Sequence, residues 1–134
     1  MSTYLEIKDL INTQQMEVAV NGPDGATHLI LCTGIAILGS CSHETFTFFV
    51  GPPMSRRQFV GAIVSGALST VQGCHKYPLD ENLEVEVGAN LISISAIFDD
   101  ELGQVKVRAE IASMMQTRLA ISYDVSILAE LPTY

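Results

Sequence analysis

Ser55-Arg56-Arg57-Gln58-Phe59-Val60-Gly61-Ala62-Ile63-Val64-Ser65-Gly66-Ala67-Leu68-Ser69-Thr70-Val71-Gln72-Gly73 is the stretch on which the fold turns. Ser55 and Gln58 have the spacing of a capping box, Met54 is placed to staple against Phe59, and Pro52-Pro53 ends whatever precedes them. Gly73 stands where a left-handed C-terminal cap belongs, and Pro78 comes shortly after. The spacing predicts a helix over 55–73 with its caps. Phe59, Val60, Ile63, Val64, Ala67, Leu68 and Val71 cover more than one helical stripe, so this helix is expected to be buried nearly all round. Gly61, Ser65 and Ser69, and likewise Ala62, Gly66 and Thr70, recur at every fourth position, which suits close approach by another backbone. Two glycines cost roughly 2 kcal/mol of helix propensity, and close packing against a sheet, a helix or a second copy would offset it. The last option makes a homodimer an expectation.

Outward from this stretch the pattern is mostly that of strands. On its N-terminal side, His43 to Val50 puts Phe46, Phe48 and Val50 on one face. Before that, Glu17 to Asn21 alternates, Asn21-Gly22-Pro23-Asp24-Gly25 is dense turn chemistry, and Thr27 to Leu38 is a long segment rich in Leu and Ile, so a hairpin is expected. Thr3 and Glu6 again have capping-box spacing, and Tyr4, Ile7, Leu10 and Ile11 fall on one side of a helix, predicting a short amphipathic helix over 3–13.

The C-terminal side holds four alternating segments, carried by Leu83, Val85 and Val87; by Ile92, Ile94, Ala96 and Phe98; by Val105, Val107, Ala109 and Ile111; and by Leu119, Ile121, Tyr123, Val125 and Ile127. Tight connections between them make an antiparallel meander the economical topology. Val107, Met114, Ile121 and Leu128 also recur every seventh residue, so one helix over 104–130 is the alternative to two strands. The expected fold is α+β: antiparallel sheet of about seven strands around one buried central helix (55–73), with a short N-terminal helix, in a single domain spanning 1–134.

Composition narrows the function classes. The chain has 134 residues, too few for two cores. Apolar residues make up 48% against 16% charged, which excludes disorder driven by low hydrophobicity and high charge. Fifteen acids against seven bases give a net charge of -8, which disfavours nucleic acid and anionic membrane as partners. The opening Met-Ser-Thr-Tyr-Leu-Glu has neither a basic n-region nor an apolar run, and the three cysteines are an odd number, so a cytoplasmic protein with reduced thiols is expected. Ser55-Arg56-Arg57-Gln58-Phe59-Val60 resembles a twin-arginine export signal, but it lies too deep in the chain, and the apolar run after it is too short to span a bilayer.

Three constellations carry candidate chemistry. Cysteine and histidine are paired: His28 precedes Cys32 by four residues, Cys41 precedes His43 by two, and His75 is directly after Cys74. If the loops meet, Cys41, His43, Cys74 and His75 offer a mixed sulfur and nitrogen set for zinc, or a thiol with an imidazole base. Glu84, Glu86, Asp99, Asp100 and Glu101 belong to an acidic run with no base between Lys76 and Lys106, suited to meeting a basic protein surface. Arg56 and Arg57, at the start of the expected central helix, would converge with backbone donors on a small anion.

In size, acidity and the order from a helix over 3–13, through three strands, to a helix over 55–72, the chain loosely resembles the type III secretion chaperones of bacterial effectors, in layout alone. Four C-terminal strands depart from that family's two strands and closing helix. The resemblance implies an adaptor that holds a client chain. The function expected is that of a small acidic non-catalytic interaction protein that binds or sequesters a macromolecular partner, as phage-encoded inhibitors of host systems do. The alternatives are the chaperone-like adaptor and a small-ligand or metal protein using the Cys/His pairs.

Overall fold

Half of the capping box over Ser55–Gln58 forms, the glutamine side chain reaching back while the reciprocal bond goes to the Ser55 carbonyl, and it builds a single turn. The Ser55 N–H donates to Gln58 Oε1 at 2.8 Å, and the Gln58 N–H donates to the Ser55 carbonyl at 3.0 Å. The chain then leaves the turn as a strand, Phe59–Gly73, and the predicted central helix is absent. Val, Ile, Ser, Thr and Gly are indifferent or poor helix formers, and the β-branched ones fit a pleated surface. A bulge after Phe59 leaves Val60 as an extra residue. Beyond it Ala62, Val64, Gly66 and Leu68 are turned inward, while Ile63, Ser65, Ala67 and Ser69 are exposed. A second bulge between Leu68 and Thr70 frees Ser69, whose hydroxyl donates to the Ala120 carbonyl at 3.2 Å. The change of parity at each bulge breaks the period of two, and the remaining apolar positions then mimic a helix that is greasy all round.

The computed structural model describes residues 4–7, 9–20, 27–38, 43–73, 89–113 and 117–130. They form eight strands and no helix: β1 (Tyr4–Glu6), β2 (Leu10–Val20), β3 (Thr27–Leu38), β4 (His43–Val50), β5 (Phe59–Gly73), β6 (Ala89–Asp99), β7 (Gln104–Ser113) and β8 (Thr117–Glu130). The fold is therefore all-β among the described residues, not α+β. The predicted N-terminal helix is replaced by β1 and β2, with the Ile7 N–H donating to the Thr47 carbonyl at 2.7 Å to continue the β1–β4 pairing. The layout shared with the secretion chaperones depended on both helices and falls with them. The stretch 104–130 is two strands and not one helix. The strand expected at Leu83–Val87 lies outside the described residues.

The strands assemble into two four-stranded sheets, β1-β4-β7-β6 and β2-β3-β8-β5, with β1 parallel to β4 and every other pair antiparallel. The hairpin of β2 and β3 is as expected, with Val20 opposite Thr27. The meander stops at β7: β6 and β7 form a hairpin, and β8 crosses to the other sheet, between β3 and β5.

The inner faces share one core. Phe46, Phe48 and Val50 of β4 and Val105, Val107, Ala109 and Ile111 of β7 meet Ile30, Cys32, Ala36 and Leu38 of β3 and Ile121, Tyr123, Val125 and Ile127 of β8. The Phe48 and Tyr123 rings bridge the sheets with centroids 4.9 Å apart. Tyr123 lies over Gly34, where an added Cβ would come 2.8 Å from the ring carbon Cζ, so only glycine fits beneath it.

Candidate interaction surface

The outer face of β2-β3-β8-β5 is the most unusual surface among the described residues. In β3, Ile30, Cys32, Ala36 and Leu38 point into the core, and the alternate positions Leu29, Leu31, Ile35 and Ile37 point away from it. Register carries the outward positions across the sheet. One row is Met16, Leu31, Ser126 and Ile63; the next is Val18, Leu29, Leu128 and Gly61. Met16 is 61% exposed and Ile63 77%, at opposite ends of the first row. Scattered apolar residues are ordinary on a surface, whereas contiguous ones mark an interaction site. Asp124 and Glu130 stand on the same face, level with Gln14 and Val20 respectively. An open depression of about 500 Å³ lies between Gln14, Met16, Leu31, Thr33 and Asp124.

This surface is absent from the site residues expected from sequence, although a signal for it exists. Thr27 to Leu38 is apolar in both phases of its alternation, the mark of a strand covered on both faces. Here the inner phase is buried and the outer phase is only partly covered.

The predicted sites fare differently. Cys41, Cys74, His75, Glu84 and Glu86 lie outside the described residues. His43 opens β4, its backbone opposite Ala112. Among the described residues no group of three or more His, Cys, Asp or Glu side chains is placed to hold a metal ion. His28 and Cys32, four residues apart in the sequence, are on β3, where that separation spans about 13 Å. His28 Nδ1 instead lies 2.8 Å from Glu17 Oε1.

Cys32 borders a cavity of about 190 Å³ together with Leu10, Gln15, Gln104 and Tyr123. Burial pushes its thiol up, away from the thiolate a nucleophile needs. Burial, and then the neighbouring sulfur of Cys32, push the Tyr123 hydroxyl up as well, so both stay neutral.

Asp99, Asp100 and Glu101 are brought together at the β6–β7 turn, but the first two have local work. Asp99 Oδ1 accepts the N–H groups of Glu101 and Leu102 at 2.9 and 3.0 Å, and its Oδ2 lies 3.3 Å from Lys106 Nζ. The Leu102 N–H, with help from Lys106 and the Glu101 N–H, outweighs desolvation and holds the Asp99 carboxyl below its usual range. Gly103 closes the turn with a φ of 65°. Asp100 is 3.8 Å from Arg56, whose guanidinium also sits 5.6 Å from the centre of the Phe98 ring. Arg56 and Arg57 stand on a turn that enters a strand, so the helix N-terminus on which the anion site rested does not exist.

Comparisons with protein-family models, with curated proteins and with solved structures find no match. Among the described residues no helix is long and apolar enough to cross a membrane.

Proposed function

We propose that this protein acts by binding another protein through the outer face of the β2-β3-β8-β5 sheet. The observation that carries the reading is the row Met16, Leu31, Ser126 and Ile63, apolar at both exposed ends and continuous with Val18, Leu29 and Leu128. Removing such a surface from water contributes roughly 25 cal/mol for each Å² of apolar area, and a partner is one way to remove it. The acids Asp124 and Glu130 on this face, with the net charge of -8, favour a partner with a basic surface. An inhibitor that covers a basic site and an adaptor that holds a client both use a surface of this kind.

The test is affinity enrichment with the full chain and with the double variant Leu31→Glu/Ile63→Glu, neither residue being part of the core. Wild type is expected to retain a stoichiometric protein partner and the double variant to lose it with thermal stability unchanged. A partner retained equally by both overturns the assignment of this face.

A further inference from the structure

The four outer margins of the sheets are unequal. β1 is three residues long. β5 and β6 lie against each other: a Cβ added to Gly66 would come 2.8 Å from Ile94 Cδ1, and the Phe59 and Phe98 rings stack with centroids 5.0 Å apart. β2 is eleven residues long, pairs on one side only among the described residues, and is exposed from Ile11 to Val20. Long edge strands are ordinarily blunted by lysine, proline or inward charge. β2 has no lysine or proline, and its one charge is Glu17. Its single irregularity is a bulge at Asn12 and Thr13, where Asn12 adopts a φ of 53°. From Gln14 to Val20 the register with β3 runs unbroken, so every second residue of that segment aims both its N–H and its C=O away from β3.

We propose that this edge, from Gln14 to Val20 and unpaired among the described residues, takes an additional strand from the partner: an extended segment in which apolar residues alternate with lysine or arginine. The proposal rests on the protein-binding reading and specifies how the partner is gripped. Main-chain pairing supplies affinity in such strand addition, and alternate side chains supply selectivity. Met16, Val18 and Val20 share the outer face and would meet the apolar positions of the incoming strand; Gln15, Glu17 and Ala19 share the other and would meet its basic ones. Charge chooses between this occupant and a second copy. Residues 10–38 contain Glu17 and Asp24 and no lysine or arginine, and a second copy would bring a further charge of -8. Like charges paired across strands repel, whereas a basic strand is drawn in.

The experiment titrates the full chain into a fluorescein-labelled peptide of alternating valine and lysine. One control has the same composition scrambled so that alternation is lost, and the other is the alternating peptide N-methylated throughout. Both keep the charge. The alternating peptide should bind about tenfold more tightly than either control and slow amide exchange in residues 14–20 by about tenfold. Glu17→Lys should weaken it by about tenfold and Glu17→Gln by less, each measured well below the variant's own unfolding temperature because Glu17 also meets His28. Equal binding of the controls, or protection confined to other strands, overturns the proposal. Concentration-dependent dimerisation that protects residues 14–20 without peptide overturns it too, in favour of a second copy. If the peptide fails while Leu31→Glu/Ile63→Glu still abolishes partner capture, the edge assignment falls and the protein-binding reading stands. If that double variant retains its partner while the peptide binds at β2, the outer-face reading falls instead.

Discussion

The two sides of the sandwich solve the edge problem in opposite ways. On one side β5 and β6 close on each other through Phe59 and Phe98, with Gly66 making room for Ile94. On the other, the three residues of β1 stop far short of the eleven of β2, and β2 stands exposed on both faces, its outer edge unpaired among the described residues. Closure covers the margin itself and leaves Val60 and Ile63 of β5 exposed on the sheet face, whereas the open side leaves Met16, Val18 and Val20 exposed along an edge strand. A surface kept apolar where a lysine would have made it inert is informative about what the open side meets.

That contrast can be broken by substitution. Phe98→Ala removes half of the aromatic stack on the closed side and should cost about 3 kcal/mol in urea unfolding. A loss below about 1 kcal/mol would mean that the closed side is not held by its rings. Gly34→Ala probes the core face of β3, the strand that β2 pairs with: its methyl would meet the Tyr123 ring, and overpacking should cost about 2 kcal/mol.

A smaller effect belongs to Asp99. Because its folded carboxyl is held below the unfolded value, its contribution is present above the ordinary carboxylate range and is lost as pH falls through the folded value. Asp99→Asn should therefore flatten the acid limb of the thermal stability profile, and an acid limb identical to wild type would dismiss the turn carboxylate as a stabiliser. Smallest of all, Met16→Ser with Val18→Ser should change stability by no more than about 0.5 kcal/mol, because both side chains are already in water. A larger loss would show that β2 is packed and its edge is not free.

Much of the strand pattern is legible in the sequence. The alternation of Val105, Val107, Ala109 and Ile111, and of Ile121, Tyr123, Val125 and Ile127, matches inner faces that are buried almost completely. β4 and the β2–β3 hairpin are read just as directly. The misleading signals are local and physical. Bulges at Val60 and Ser69 shift the parity of β5, so its apolar residues satisfy a helical period as readily as a strand's. Capping-box spacing is satisfied by one turn and leaves the conformation of the next residues open, as Ser55 and Gln58 show. Alternation alone groups Ile92 with Ile94, Ala96 and Phe98, but a bulge between Leu91 and Ser93 leaves it 47% exposed. The interaction surface is hidden for another reason. An apolar outer phase in β3 reads as burial, and only the assembled sheet shows that the described residues do not cover it.

β8 comes after the other seven strands in the chain yet lies between β3 and β5, joined to β3 from Thr27 to Leu38 and to β5 from Phe59 to Gly73. During synthesis, two long greasy ribbons must wait on the ribosome without their common neighbour. Folding is then slow and gated by the final pairing, because contacts so distant in sequence require large loops to close first. A ribosome stalled before Thr117 would release a nascent chain with no means of completing this sheet.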